Sequence, residues 1–258
     1  MIVYKYVVAD RVDVLEHRRI RFTQPSALND PFESLPCLSL YRAHLHGRLS
    51  KTTEGEALKI HPDFHDMIDA SIGDLETTAR DVMSKLFVFL SLSRKRDNLL
   101  MWSHYADSHR GLVIGFDSDG PIFQPGALAV HGLRDVEYSK KRWILPPDGL
   151  ESISQSEIER AHLRFFFAKS DDWAYEEELR LVTRVSGASI TIPVTNGWPI
   201  CLFDFPKEMV REVILGYRMS EAQKQRVADV VRDYPTATLY QASLDPDEFG
   251  LVIGKFLP

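Results

Sequence analysis

Short apolar segments of the kind that form β-strands crowd the chain after residue 178. Only one helix is predicted among them, capped by Ser220 and ending near Arg232. The predicted strands cover residues 179–185, 190–194, 200–205, 213–215, 237–242 and 249–256. Because strands and helices do not alternate strictly, the sequence predicts an α+β fold with split mixed or antiparallel sheets and flanking helices, rather than a doubly wound parallel sheet.

The first half of the chain contributes two further strands that matter for function. Ile2–Val8 is rich in β-branched and aromatic residues, and residues 86–93 are almost continuously apolar, as in a central strand buried on both faces. Asp97 is expected to cap a helix that runs to Ala106. With no Gly/Ser linker in the sequence, we predict one domain, 1–258, with 42–60 as a loop insertion.

Composition excludes several classes of protein. The net charge of -6 argues against binding nucleic acid through bulk electrostatics, although a local basic groove stays open as an alternative. Cys37 and Cys201 lack metal-ligand spacing, so we expect reduced thiols and no disulfide-linked partner. No apolar run approaches the roughly 20 residues of a membrane span. The sequence therefore predicts a cytoplasmic protein without a membrane partner.

A row of charges opens the strand that follows Trp173. Residues two apart in a strand share a face, so Glu176, Glu178 and Arg180 are predicted to line up on one side. Leu179 and Leu181 then point into a core. Glu has poor β-propensity, and adjacent negative charges repel each other. The row is therefore either a charge-paired sheet surface or a functional site.

Four motifs occur in order along the chain, and together they resemble those of a bacterial family known only as a domain of unknown function. The motifs are Tyr4-Lys5-Tyr6, Asn29-Asp30-Pro31-Phe32-Glu33, Met101-Trp102-Ser103-His104-Tyr105-Ala106, and Trp173-Ala174-Tyr175-Glu176-Glu177-Glu178-Leu179-Arg180. The resemblance spans residues 4–180 and implies no established activity.

A more distant resemblance, to the ADP-ribosyltransferase fold, does imply an activity. That fold assembles an NAD pocket from an Arg or His on one strand, a Ser-x-Ser at the end of a second and a Glu-x-Glu on a third. This chain has Tyr4-Lys5-Tyr6, Ser91-Leu92-Ser93 and Glu176-Glu177-Glu178 in that order. It departs from the pattern at Lys5, which stands where the family has Arg or His.

The resemblance implies NAD as substrate, no metal, and a macromolecular acceptor, protein or nucleic acid. A bacterial toxin or defence effector is one role that such an activity would serve. Glu178 would stabilise the oxocarbenium-like transition state, and Glu176 would orient the nucleophile. The implied NAD-contacting residues are Tyr4, Lys5, Tyr6, Ser91, Ser93, Trp102, His104, Tyr105 and Arg180. Serine hydroxyls would bond ribose or amide groups, aromatic rings would stack on nicotinamide, and Arg180 would hold a phosphate.

Other readings of the same residues remain open. Glu178 and Arg180 can form cross-strand ion pairs, and Trp102 and Tyr105 have the helical spacing of core residues. A metal-dependent nuclease or phosphodiesterase would use clustered carboxylates, with His104 or Lys5 assisting. Its candidate Mg²⁺ ligands are Asp30, Glu33, Glu176 and Glu178. A third alternative is a non-catalytic nucleotide-binding module.

Overall fold

The computed structural model describes residues 1–35, 37–39, 42, 64–124, 129–142 and 163–256. The chain packs as two compact units. The first unit comprises Met1–Thr23, Val88–Val136 and Asp172–Pro258, and the second comprises Gln24–Phe87 and Glu137–Asp171. That the chain folds as one domain stays a prediction. The loop insertion predicted for 42–60 lies, apart from residue 42, outside the described residues.

An eight-stranded sheet in the order β13-β12-β11-β4-β1-β3-β8-β5 organises the first unit, beside a three-stranded sheet in the order β2-β10-β9. Their strands are β1 Ile2–Val7, β2 Arg19–Phe22, β3 Phe87–Ser93, β4 Leu112–Asp117, β5 Ala129–Asp135, β8 Glu178–Arg184, β9 Ile190–Ile192, β10 Ile200–Asp204, β11 Val210–Leu215, β12 Thr238–Leu244 and β13 Leu251–Lys255. Strands β11 and β12 pair in parallel, whereas β1 pairs with both β3 and β4 antiparallel. The α+β prediction with a mixed sheet is confirmed.

Helices border these sheets: α1 Asp13–His17, α2 Phe64–Leu86, α3 Leu99–Tyr105 and α4 Glu221–Val231. Ser220 caps α4 as predicted, because its side chain accepts from Gln223 N. The prediction that Asp97 caps α3 is wrong. Asn98 is the cap, and its side chain accepts from the backbone N–H groups of Leu100 and Met101.

The second unit contains α2 and a two-stranded parallel sheet of β6 Glu137–Ser139 and β7 Ala168–Ser170. The turn that carries Asp30 is held by other parts of this unit. Arg80 Nη1 on α2 donates to Pro31 O at 2.9 Å, and Arg142 Nη2 donates to Leu35 O at 3.2 Å. Each bond supplies a donor to a backbone carbonyl that lies outside regular secondary structure.

The large sheet has a different apolar cluster on each face. Val3, Leu90, Leu92, Leu179 and Leu181 belong to one cluster, which includes many of the fully buried aliphatic residues of the unit. Tyr4, Tyr6, Trp102 and Val113 belong to the other. The prediction that Leu179 and Leu181 point into a core is confirmed. Strand β1 thus contributes to both clusters. The consecutive β3 residues Val88, Phe89 and Leu90, which point to alternate faces, are all buried, and this agrees with the nearly continuous apolar sequence of β3.

Candidate functional site

The strands that carry three of the sequence motifs are neighbours in the sheet. Strand β3 lies between β1 and β8, so Tyr4-Lys5-Tyr6, Ser91-Leu92-Ser93 and the beginning of β8 occupy consecutive strands. Tyr4 lies opposite Ser93 in the β1–β3 pairing. The fold therefore brings together segments that are up to 174 positions apart, counting from Tyr4 to Glu178.

Strand alternation separates Lys5 from the two tyrosines beside it. Tyr4 and Tyr6 pack in the cluster with Trp102, while Val3 and Val7 pack in the opposite one, and Lys5 shares the face of the valines. Its Nζ donates to Ser91 O at 3.0 Å. The two tyrosine side chains of this motif therefore lie on one face of the sheet, and the lysine side chain lies on the other.

Glu178 and Arg180 form a buried ion pair on β8. Arg180 Nε and Nη2 donate to the two Glu178 carboxylate oxygens at 2.8 and 2.9 Å. The side chains are only 0% (Arg180) and 2% (Glu178) exposed, and the Arg180 guanidinium carbon lies 5.0 Å from the Phe89 ring centroid. In this conformation neither side chain is accessible to a ligand.

Glu176 does not extend the row that Glu178 and Arg180 form, and the prediction of a three-residue row on one strand is wrong. Glu176 ends a short 3-10 helix, Asp171–Glu176, and β8 begins only at Glu178. Between them Glu177 has a φ of 42°, in the left-handed region that non-glycine residues seldom adopt. This turn redirects the chain, so the two carboxylates have different surroundings.

Hydrogen bonds tie Glu176 to β3 and α3. Ser93 Oγ, fully buried, donates to Glu176 O at 2.7 Å and accepts from Lys95 N at 3.0 Å. Tyr105 Oη donates to Glu176 Oε1 at 2.6 Å. Such a short bond to a charged acceptor is among the stronger protein hydrogen bonds. Ser93 thus positions the Glu176 backbone, and Tyr105 contacts its carboxylate.

A chain of aromatic and imidazole rings begins at Tyr105, which binds this carboxylate, and continues through His104 and Tyr175 to Trp173. His104 Nδ1 and Tyr175 Oη lie 3.0 Å apart, and the rings of Trp173 and Tyr175 are 6.1 Å apart. Asn98 Nδ2 donates to Tyr175 O at 2.9 Å. His104 is exposed, and the Tyr105, Trp173 and Tyr175 side chains are half-buried. This partly exposed group of rings, which includes the Tyr105 that binds Glu176, offers stacking surfaces to a ligand.

Trp102 and Tyr6, in contrast, are packed into the fold. Trp102 is 0% exposed, and its Nε1 donates to Arg96 O at 2.9 Å. Tyr6 Oη donates to Lys95 O at 2.8 Å, and its ring meets Trp102 edge-on at 5.6 Å. Burial, followed by the Asp97 charge, raises the pKa of Tyr6. The structure does not offer the Trp102 ring to a ligand, and this pair instead fixes the loop between β3 and α3.

Tyr4 sits beside a separate ion pair. Arg96 Nη1 contacts both carboxylate oxygens of Glu212 at 3.0 and 3.1 Å. Burial, followed by the Glu212 charge, raises the pKa of Tyr4 to about 12. Tyr4 is therefore a neutral hydrogen-bonding group at physiological pH.

A cavity of about 180 Å³, hereafter the arginine cavity, opens on the β1 and β2 side of Tyr105. Its polar lining includes three cations and no carboxylate among the described residues, and its remaining wall is mainly aliphatic. The lining residues are Lys5, Tyr6, Val7, Val8, Arg11, Val14, Ile20, Arg21, Thr23 and Tyr105. Tyr105 therefore connects the arginine cavity with Glu176, because it lines the cavity and its hydroxyl donates to the Glu176 carboxylate.

The cations of the arginine cavity differ in how they are paired. Arg11 Nε donates to Asp13 Oδ1 at 2.8 Å. Arg21 Nε is buried, and no described residue accepts a hydrogen bond from it. A buried donor without an acceptor is costly, so this position favours an anionic ligand. Sequence reasoning missed Arg11 and Arg21; the available signal was their proximity along the chain to the Tyr4-Lys5-Tyr6 strand.

The carboxylates of the metal hypothesis divide between the two units: Asp30 and Glu33 belong to the second, Glu176 and Glu178 to the first. Within the described ranges, no group of three or more His, Cys, Asp or Glu side chains is arranged to hold a metal ion. Cys37 and Cys201 are both free thiols. No helix among the described residues is long and apolar enough to cross a membrane.

Comparison with known proteins relates one stretch of the chain to a family. Searches of curated proteins and of solved structures found no match. Residues 101–181 match a family model described as Protein of unknown function (DUF2971). This stretch begins at Met101 in the α3 motif and ends just past Arg180. The part of the chain that carries Tyr105, Glu176 and Glu178 is thus similar to an uncharacterised domain family.

Proposed function

We propose that this protein is an NAD-using enzyme similar to ADP-ribosyltransferases, which transfers ADP-ribose to a macromolecular acceptor. The observation that carries the proposal is the position of Tyr105. Its ring lines a cavity with three cations, and its hydroxyl binds the Glu176 carboxylate. An anionic substrate with a reacting centre that becomes positive needs both elements, a cationic site for phosphates and a carboxylate nearby.

The arginine cavity is our candidate for the pyrophosphate of NAD. Arg21 supplies a buried donor that no described residue engages, and Lys5 and Arg11 add positive charge. Guanidinium groups present N–H donors that match phosphate oxygens in geometry. A cation on β1 also agrees with the ADP-ribosyltransferase scheme, in which the first motif strand contributes an Arg or His.

The reaction would break the bond between nicotinamide nitrogen and ribose C1, and nicotinamide would leave as a neutral molecule. Positive charge develops on the ribose in the transition state, and a carboxylate stabilises it electrostatically. An acceptor nucleophile would then bond to C1 and lose its proton. We assign the electrostatic role to Glu176, because Tyr105, which lines the arginine cavity, also donates to its carboxylate.

Glu178 receives a different assignment, that of a positioning residue. Both of its carboxylate oxygens bind Arg180 in a pair that is almost fully buried. In this arrangement Glu178 anchors the start of β8, the strand that immediately follows the Glu176 turn. His104 and Tyr105 remain candidate NAD contacts, Ser93 positions Glu176, and Tyr4, Tyr6, Ser91, Trp102 and Arg180 support the surrounding strands.

The test is NAD binding by calorimetry, with nicotinamide release followed in parallel, in the presence and absence of a chelator. The proposal predicts binding and release that both survive chelation. Activity that is lost on chelation and that does not require NAD would overturn it in favour of a metal-dependent nuclease or phosphodiesterase. Binding with no release, in the presence of candidate protein and nucleic-acid acceptors, would instead indicate a non-catalytic nucleotide-binding module.

A further inference from the structure

A second cavity, of about 240 Å³, lies wholly within the second unit and plays no part in the proposed transfer reaction. We refer to it as the basic cavity. It is lined by Asp30, Phe32, Ser34, Leu35, Ser139, Lys140, Lys141, Arg142, Arg164, Phe165, Ala168, Lys169 and Ser170. The Asn29–Glu33 motif, which the proposed function leaves unexplained, supplies one wall.

Positive charge dominates this lining. Five of its side chains are cationic, against one carboxylate, that of Asp30. Lys169 is buried, and its Nζ lies 3.9 Å from Glu33 Oε2, so its charge is already balanced inside the protein. Lys140, Lys141 and Arg164 are exposed at the rim. The chain as a whole carries a net charge of -6, so this concentration of cations is local.

Two buried acceptors of the basic cavity lack partners within the described part of the chain. Asp30 is 3% exposed and Ser34 is 4% exposed. Asp30 Oδ1 accepts from Phe32 N at 2.9 Å, but Asp30 Oδ2 and Ser34 Oγ have no hydrogen-bond partner among the described residues. A buried carboxylate oxygen left unpaired is costly. Both residues line the basic cavity, so a ligand that donates hydrogen bonds and draws either side chain toward the cavity would relieve this cost.

Two aromatic rings complete the lining. Phe32 is 56% exposed, and Phe165 is half-buried. The Arg142 guanidinium carbon lies 5.4 Å from the Phe32 ring centroid, which orients that ring. An exposed phenylalanine between cations is the arrangement with which proteins stack nucleobases while they neutralise phosphates.

We infer that the basic cavity binds one nucleotide unit. The phosphate would contact Lys140, Lys141 and Arg164, the base would stack on Phe32 or Phe165, and a base N–H or ribose hydroxyl would donate to Asp30 Oδ2. The volume of about 240 Å³ is just below the roughly 300–1,000 Å³ usual for small-molecule sites, so only part of a larger ligand fits inside. The nucleotide can belong to a free mononucleotide or to a single strand of nucleic acid.

The experiment is fluorescence anisotropy of a labelled single strand of about 12 nucleotides, a length typical of such sites, with AMP as competitor. The double substitution Lys140→Ala/Arg164→Ala should weaken binding about 5-fold per lost cation at 0.1 M salt. Phe32→Ala should weaken binding about 10-fold through lost stacking. Asp30→Asn keeps the Oδ1 acceptor for Phe32 N but removes the carboxylate, and it should weaken binding as well. Lys85→Ala, an exposed lysine on α2 outside the cavity, is the matched control and should change nothing.

Displacement of the strand by AMP supports the inference with free nucleotides as ligand, and displacement by longer strands alone supports it with nucleic acid as ligand. Absence of binding at low salt to both probes overturns it. Equal weakening by Lys85→Ala, or insensitivity to both Phe32→Ala and Asp30→Asn, also overturns it, because binding would then be general charge attraction. The substitutions lie outside the residues assigned to NAD, and urea unfolding of each variant checks its folding independently of any activity.

Discussion

Two glutamates that are two positions apart in the sequence, Glu176 and Glu178, have opposite surroundings in the structure. Glu178 is held by two of the three guanidinium nitrogens of a fully buried arginine, whereas Glu176 is held by a tyrosine that also lines a cationic cavity. Both side chains are buried, at 4% and 2% exposure. Side-chain exposure therefore does not distinguish the two glutamates, whereas the residue that each carboxylate binds does.

For a carboxylate in a sequence motif, the residue that donates to its oxygens is the better guide to whether its role is structural or chemical. In a buried ion pair the two charges stabilise each other, and removal of one partner is strongly destabilising. A carboxylate that accepts from a neutral hydroxyl keeps its negative charge available to a developing cation nearby. On this basis the proposed function assigns Glu178 a positioning role and Glu176 the electrostatic role.

The largest expected effect is on stability. Glu178→Gln should lower the free energy of unfolding by about 3–5 kcal/mol, because the fully buried Arg180 would lose the carboxylate that accepts from its Nε and Nη2. Urea denaturation measures this. Glu176→Gln retains an oxygen that can accept from Tyr105 and should cost less than about 1 kcal/mol. The double substitution Glu178→Leu/Arg180→Met should recover most of the stability. A loss below about 1 kcal/mol for Glu178→Gln would mean that the pair is not structural.

The next largest effect concerns NAD affinity. Arg21→Met should weaken NAD binding about 10-fold or more, since a hydrogen bond to a charged group contributes about 1.5–3 kcal/mol. Calorimetry provides the dissociation constant. Arg19→Met is the matched control on the same strand, because Arg19 pairs with Asp204 at an exposed position and does not line the arginine cavity. Equal affinities for Arg21→Met and the unsubstituted protein would remove the arginine cavity from the NAD site.

A smaller effect separates two tyrosine hydroxyls. Tyr105→Phe removes the donor to Glu176 and should lower the free energy of unfolding by about 1–2 kcal/mol. Tyr175→Phe removes a contact with exposed His104 and should cost less than about 0.5 kcal/mol. Thermal and urea unfolding of both variants check this order. If the two substitutions cost the same, the hydroxyl of Tyr105 does not hold Glu176 as we describe.

The smallest effect is a pH dependence at His109, which stacks on the buried Trp102 ring with centroids 6.1 Å apart. Burial, followed by the Arg218 charge, lowers the pKa of His109. The unfolded histidine binds its proton near pH 6.5, so the unfolded state carries more protons just below that pH. This contribution to stability is complete above about pH 6.5 and is lost as the pH falls through the lower, folded pKa.

His109→Asn tests that dependence, because asparagine tolerates the φ of 69° found at this position. Urea unfolding at a series of pH values should show a shallower loss of stability on acidification in the variant than in the unsubstituted protein. Identical pH profiles would show that His109 does not titrate differently in the folded and unfolded states.

Much of the fold follows from local sequence. The strand positions after residue 178, the burial of Leu179 and Leu181 and the Ser220 cap are set by apolar alternation and side-chain hydrogen bonding, which a sequence displays directly. Strand alternation also predicts that the side chain of Lys5 lies on the face opposite to that of Tyr4 and Tyr6. The adjacency of β1, β3 and β8 is different, since it was expected only from the resemblance to a known fold.

The rest of the candidate site depends on tertiary geometry. The departure of Glu176 from β8 requires a left-handed Glu177, and glutamate carries no signal for that conformation. The arginine cavity forms where α1, β1 and β2 meet, so Arg11 and Arg21 are recognisable only after the chain has folded. Asn98 replaces Asp97 as the cap of α3 because both residue types cap helices well, and the choice depends on backbone geometry.

The most direct test of the central claim is nicotinamide release by Glu176→Gln, measured on protein whose unfolding curve shows it to be folded. We predict a fall of about 100- to 1,000-fold in the rate, the magnitude found when one electrostatic contact to a transition state is removed, with NAD affinity nearly unchanged. Release at the unsubstituted rate from folded Glu176→Gln would contradict the assignment of Glu176 as the reacting carboxylate.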